Sequence, residues 1–145
     1  MEPNFFDHEY LIIDELSYRF RPIDRGEVIV FKNPNNPKEY FLKRIIGLPG
    51  ERVKVAEGRV TIYNQPHPEG VVLTEPYLPA DLLTSGERVT VLKDHQYFVL
   101  GDNRDNSFDS RRFGPVEQEL IVGRTWFRGW PVNRLQIFKK PPLNL

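Results

Sequence analysis

Turn residues punctuate this chain so often that no long helix fits between them. Thirteen prolines and ten glycines are spread over 145 residues. The apolar runs between them are short and rich in Val, Ile, Tyr and Phe, which is strand composition. Tyr10-Leu11-Ile12-Ile13 reads as a strand, Asp24-Arg25-Gly26 as a turn, and Glu27 to Phe31 as a buried strand. A surface turn over Asn33 to Pro37 precedes a strand from Tyr40 to Ile46, which Leu48-Pro49-Gly50 ends. Arg52 to Val55 and Val60 to Tyr63 alternate around Glu57-Gly58, a hairpin signal. Asn64 to Ser85 reads as loop. Arg88 to Leu92 and Gln96 to Leu100 read as a strand pair around Lys93-Asp94-His95, Glu117 to Leu120 as one helical turn, and Ile121 to Trp130 as the last strand, ahead of a Pro141-Pro142 tail. The expected fold is all-β: coiled antiparallel sheets forming a barrel-like single domain over residues 1–145. Phe5 and Phe6 are apolar for a free terminus, so the fold is expected to be joined midway.

Several function classes fall away on composition. Twenty basic and twenty acidic residues cancel, so no basic excess points to nucleic acid. Cysteine is absent, which removes a disulfide framework and a thiol nucleophile. No apolar run approaches the roughly eighteen residues of a membrane span, and no signal peptide precedes the fold. No cofactor-binding signature is present: there is no Gly-rich phosphate cradle. His8, His67 and His95 are isolated and read as surface residues.

Two stretches carry chemistry. Gly101-Asp102-Asn103-Arg104-Asp105-Asn106-Ser107-Phe108-Asp109-Ser110-Arg111 is polar at every position but Gly101 and Phe108. Loops of this kind hold themselves together by side-chain hydrogen bonds and ion pairs. It is not a calcium loop: from Asp102 the third place is Arg104, and from Asp105 the sixth is Ser110 rather than Gly. No metal is therefore expected. The second stretch sets two cations, Lys43 and Arg44, in the middle of an apolar strand. Side chains alternate along a strand. Lys43 shares a face with Phe41 and Ile45, and Arg44 points the other way with Tyr40, Leu42 and Ile46. A buried lysine loses its proton more easily and can serve as a general base toward a hydroxyl. Its alternative is to run its stem along apolar surface and keep its charge in water. Arg44 needs a carboxylate, and Asp102, Asp105 and Asp109 are on offer. Trp126, Arg128 and Trp130 share one face of the last strand, which suits either core packing or a lipid interface.

Four blocks in order resemble one family, the type I signal peptidases of bacteria. Met1-Glu2-Pro3 is similar to the end of the family's S-M-x-P segment, and Arg25 to Phe31 to its R-G-D-V-V-V-F strand. Lys43 to Glu51 is similar to K-R-x-x-G-x-P-G-D, and Gly101 to Arg111 to G-D-N-R-x-N-S-x-D-S-R. The connecting segment 54–95 matches less and is expected to be a variable insertion. The resemblance implies a coiled antiparallel β fold and a membrane-anchored serine protease with a Ser/Lys dyad. Such an enzyme removes signal peptides from exported proteins after an Ala-x-Ala-like site, on the extracytoplasmic face of the bacterial cytoplasmic membrane. Lys43 falls on the general base and Ser107 on the serine that orients it. Arg44, Asp109 and Arg111 fall on the cluster that braces the site. Met1, Phe5, Phe41 and Leu42 fall near the pockets for small substrate side chains. Asn4 and Phe5 depart from the family's usual Thr/Ser and Leu. The implied nucleophilic serine directly precedes Met1, so this stretch is expected to lack the nucleophile and the membrane anchor and to be inactive alone. Two other readings fit a fold of this kind: a non-catalytic peptide-binding β domain derived from it, and a relative of the self-cleaving repressors, which the long Lys43 and Gly101 blocks disfavour.

Overall fold

A computed structural model describes residues 1–145. Eleven strands form two antiparallel sheets: β1 (Tyr10–Asp14), β2 (Val28–Asn33), β3 (Asn36–Gly47), β4 (Arg52–Ala56), β5 (Arg59–Asn64), β6 (His67–Val72), β7 (Arg88–Val91), β8 (Gln96–Leu100), β9 (Val116–Glu117), β10 (Ile121–Trp130) and β11 (Gln136–Ile137). The larger sheet runs β1-β10-β2-β3-β8-β9, with β11 on β10, and the smaller runs β6-β5-β4-β7. The mostly-β, antiparallel expectation holds. The barrel-like closure does not: the ends of the larger sheet, β1 and β9, do not pair with each other. One helical turn, α1 (Ser110–Phe113), closes the polar loop, and a 3-10 turn at Gln118–Leu120 stands where the sequence suggests one. No helix is long and apolar enough to cross a membrane.

Alternation along β3 and β8 builds two cores at once. Ile46, Phe98 and Leu100 face one cluster with Val53, Val55, Val60, Ile62, Leu73 and Leu92 from the small-sheet region. Ile45, Tyr97 and Val99 face the other with Ile23, Ile29, Phe31 and Val116. Where β3 crosses between them it is buried on both faces, a placement that favours continuous apolar runs. Leu143 and Leu145 pack against the first cluster, so the tail is docked. Asn144 fastens it to Val72 and Thr74 by two hydrogen bonds.

Four local expectations need correction. The segment Asn64 to Ser85 contains β6, an edge strand. Pro68 and Gly70 mask it, because proline is tolerated in a strand only at an edge. The β7 and β8 runs do not pair with each other: β7 pairs with β4, and β8 with β3 and β9. The turn between them, with His95 at φ 64, hands the chain from one sheet to the other. Ile121 to Trp130 is not the last strand, since β11 follows. Finally, Trp126, Arg128 and Trp130 do not share a face. The β1–β10 register skips Trp126 and Gly129, and each skipped residue is a bulge that reverses the alternation. Arg128 turns inward while both tryptophans stay about half exposed.

Candidate active site

The strand β3 sends Lys43 and Arg44 to opposite sides, as its alternation requires. On the first side, Lys43 is half-buried with Nζ 5.6 Å from the Phe41 ring centroid. Its one hydrogen bond goes to the Leu42 carbonyl, at 3.1 Å. Burial lowers the ammonium's pKa below the ordinary lysine value, and the negative charges of Asp109 and Asp102 oppose that shift. Gly101 lets the polar loop come close. A Cβ there would lie 2.1 Å from Ser107 Oγ and 3.6 Å from Lys43 Cδ, so only a bare backbone admits the serine beside the lysine stem. Ser107 Oγ is buried and makes no hydrogen bond. The expected partners are thus brought side by side around Gly101, with no hydrogen bond between them.

On the other side every polar group is used. Arg44 meets Asp102 bidentately, Nε to Oδ1 at 2.9 Å and NH2 to Oδ2 at 2.6 Å, and donates to the Gly26 carbonyl at 2.8 Å. Asp102 is therefore its carboxylate, while Asp105 is exposed at the loop tip. Asp109 serves Arg111 instead, accepting from Nε at 2.9 Å and NH2 at 2.8 Å. Burial alone would raise the Asp109 pKa. The bonds from Arg111 and from the Gly101 N–H overcome it and hold the carboxyl below the usual aspartate range. Asp109 also caps α1 by accepting from the Arg111 N–H. The brace is thus two separate ion pairs.

Three further buried pairs escaped the sequence reading, one of them Arg128 with Glu9 at 3.0 Å. Arg104, fully buried, donates to Glu75 (2.5 and 2.6 Å), to Thr84 and to the Gly101 carbonyl. Arg25 pairs bidentately with Glu51 at 2.7 and 2.8 Å, tying the β2 block to the turn after β3. Arg25, Glu51 and Arg104 stand inside the family-like blocks, so an unassigned charge there was the available signal. Glu75 lies in sequence that reads as loop and offered none.

The N-terminal segment docks against this constellation. Asn4 Nδ2 donates to Asp102 at 2.8 Å, and the Asn4 carbonyl accepts from Arg128 at 2.6 Å. The Met1 sulfur lies 3.4 Å from the Asp102 amide. Phe5 is buried and stacked on Phe138, with centroids 4.7 Å apart, so it anchors the segment from below. Phe41 and Leu42 precede Lys43 on β3 and are half-buried, Phe41 on the lysine's face within a cluster of Phe31, Phe108 and Phe113. Met1 is thereby seated one residue from Gly101, whose Cα faces the Lys43 stem.

The site is thus a half-buried lysine on an open antiparallel β fold, framed by the Arg44–Asp102 and Arg111–Asp109 pairs. The chain belongs to the family described as signal peptidase, peptidase S26, whose pattern matches residues 1–130. Among its relatives, the probable signal peptidase I-2 of Synechocystis is 43% identical over 141 residues, covering 93% of this chain and 61% of its own length. The signal peptidase I of Leptolyngbya laminosa is 42% identical, covering 98% of this chain and 70% of its own. The chain thus spans between about three fifths and seven tenths of these two relatives. The crystal structure of a signal peptidase I from Enterococcus faecalis superposes with a TM-score of 0.59 at 31% identity, over 72% of this chain and 97% of that one.

Proposed function

We propose that these residues form the catalytic domain of a serine endopeptidase that removes N-terminal signal peptides from exported proteins after an Ala-x-Ala-like site. Lys43 is the general base, Ser107 orients it, and Arg44–Asp102 and Arg111–Asp109 hold the frame. The nucleophile is a serine joined directly ahead of Met1. One observation carries this: Met1 docks on the Asp102 amide, one residue from Gly101, which packs against the stem of the half-buried Lys43. A residue joined ahead of Met1 then enters on the side of the base. In the reaction, neutral Lys43 takes the serine hydroxyl proton as the oxygen attacks the scissile carbonyl. The resulting ammonium returns the proton to the leaving amine of the mature protein, and water then hydrolyses the acyl ester, again with Lys43 as base. Met1, Phe41 and Leu42 line the substrate side, with Phe5 supporting the segment. Segment 54–95 is an insertion within the single domain.

The domain works at the extracytoplasmic face of the cytoplasmic membrane. Tyr10, Ile12, Trp126, Trp130 and Ile137, all on the β1, β10 and β11 strands, are exposed and suit a lipid interface. The test is a side-by-side assay of residues 1–145 and of a chain extended by a serine and a few residues ahead of it, on an Ala-x-Ala signal peptide in detergent. Cleavage only by the extended chain is expected. Equal activity in both would put the nucleophile elsewhere, and inactivity in both would favour a non-catalytic peptide-binding domain.

A further inference from the structure

The loop that follows β6 belongs to no strand, yet one of its residues touches all three segments that make the site. The Arg44 guanidinium carbon stands 3.9 Å from the centroid of the Tyr77 ring, so the ring covers one face of the ion-paired cation. The Tyr77 carbonyl accepts from Asn4 Nδ2 at 3.0 Å, the same amide that donates to Asp102. The Tyr77 hydroxyl donates to Glu75 at 2.5 Å and lies 3.4 Å from Arg104 NH2. Arg104 in turn holds the Gly101 carbonyl, the residue on which Ser107 rests. Within this loop only Tyr77 hydrogen-bonds to the N-terminal segment, through its carbonyl.

We propose that Tyr77 is a positioning residue for the Lys43 chemistry: its ring and main chain lock Arg44 and Asn4 onto Asp102 and so fix the N-terminal segment against β3. The proposal rests on the dyad reading above. Two strands of contact make it specific. The face of an aromatic ring pins the plane of a guanidinium that is already held by its edge, leaving Arg44 no rotation. The Asn4 amide is shared between Tyr77 and Asp102, so a shift of the loop pulls on the segment that leads into the base. Segment 54–95 is then part of the catalytic frame rather than a passenger.

The full-length enzyme in detergent, cleaving an Ala-x-Ala signal peptide, tests this through Tyr77→Ala, Tyr77→Leu, Tyr77→Phe, Asn4→Ala and Lys43→Arg. Leucine refills the hole without an aromatic face, so it serves if the alanine variant fails to fold. Misplacing reacting groups by an ångström costs up to about a hundredfold, so kcat of Tyr77→Leu falls by roughly tenfold to a hundredfold with KM within about twofold. Tyr77→Phe, which keeps the ring and the main chain, recovers most of that loss. Tyr77→Leu and Asn4→Ala together lose less than the product of their separate effects, because both act through the same segment. An unchanged kcat in folded Tyr77→Leu overturns the proposal, as does a Tyr77→Phe as impaired as Tyr77→Leu, or a loss confined to KM. A dead Lys43→Arg beside an unimpaired Tyr77→Leu sinks the proposal alone. An active Lys43→Arg sinks the dyad reading, and the Tyr77 proposal falls with it.

Discussion

The two sides of β3 differ in how fully their polar groups are used. On the Arg44 side, guanidinium, carboxylate, asparagine amide and backbone carbonyl all find partners. On the Lys43 side, the amine makes a single bond to its neighbour's carbonyl and the Ser107 hydroxyl makes none. The two cations are consecutive in sequence. A saturated network is rigid and costly to disturb. Groups with spare hydrogen-bonding capacity in a half-buried setting are poised to change partners, which a proton-transfer site requires. Saturated bonding lies behind the strand and spare bonding capacity in front of it.

The largest effect should come from the front. Lys43→Arg keeps the charge but cannot release a proton, because arginine stays protonated in proteins. A general base contributes about a hundredfold to ten-thousandfold, so signal-peptide cleavage by the full-length enzyme falls by at least that order while its urea midpoint moves little. Turnover near the unmodified level would put the base elsewhere. Behind the strand, Asp102→Ala leaves Arg44 buried and unpaired, at a cost of about 3–5 kcal/mol in urea denaturation. A loss below about 1 kcal/mol, the size of an exposed pair, would mean the two sides are not as different as their bonding suggests.

Asp109→Asn probes the link between the sides. The carboxylate favours the Lys43 ammonium, and so does its neutralisation of Arg111. Removing it lowers the lysine pKa further, so the acid limb of kcat/KM, where Lys43 must lose its proton, moves to lower pH. A limb that moves up in pH would contradict the assigned sign. The same change costs stability. Asp109 titrates below its unfolded value, so its contribution is present above the ordinary aspartate pKa of about 3.9 and is lost as pH falls through the folded one. The smallest effect on stability belongs to Ser107→Ala. An unpartnered buried hydroxyl carries a desolvation cost of about 1–3 kcal/mol, so stability holds or rises slightly while cleavage falls. Lower stability with cleavage intact would make Ser107 a structural residue.

Much of the site was legible because strand alternation is strict. The split of Lys43 from Arg44 follows from a period of two, and the Glu57-Gly58 hairpin from a turn that takes positive φ at both residues (52 and 74). Three features were hidden for physical reasons. Turn chemistry says where the chain reverses, not which neighbour a strand then meets, so β7 and β8 looked paired. Bulges cancel alternation locally, so Arg128 looked set on one face with its tryptophans. Long-range partners such as Glu75 for Arg104 and Tyr77 for Arg44 leave no periodic mark, since the fold alone joins them.

Distance along the chain carries its own consequence. Asn4 meets Asp102 across 98 positions and Arg44 meets it across 58. Contacts that span so much chain must first overcome loop-closure entropy, and β folds dominated by them form slowly, in milliseconds to seconds. Until they form, Lys43 is an ordinary protonated lysine near pKa 10.4 with nothing to desolvate it. Under the dyad reading, completion of the fold is then the step that makes the base: the unfolded chain carries the lysine but not its reactivity.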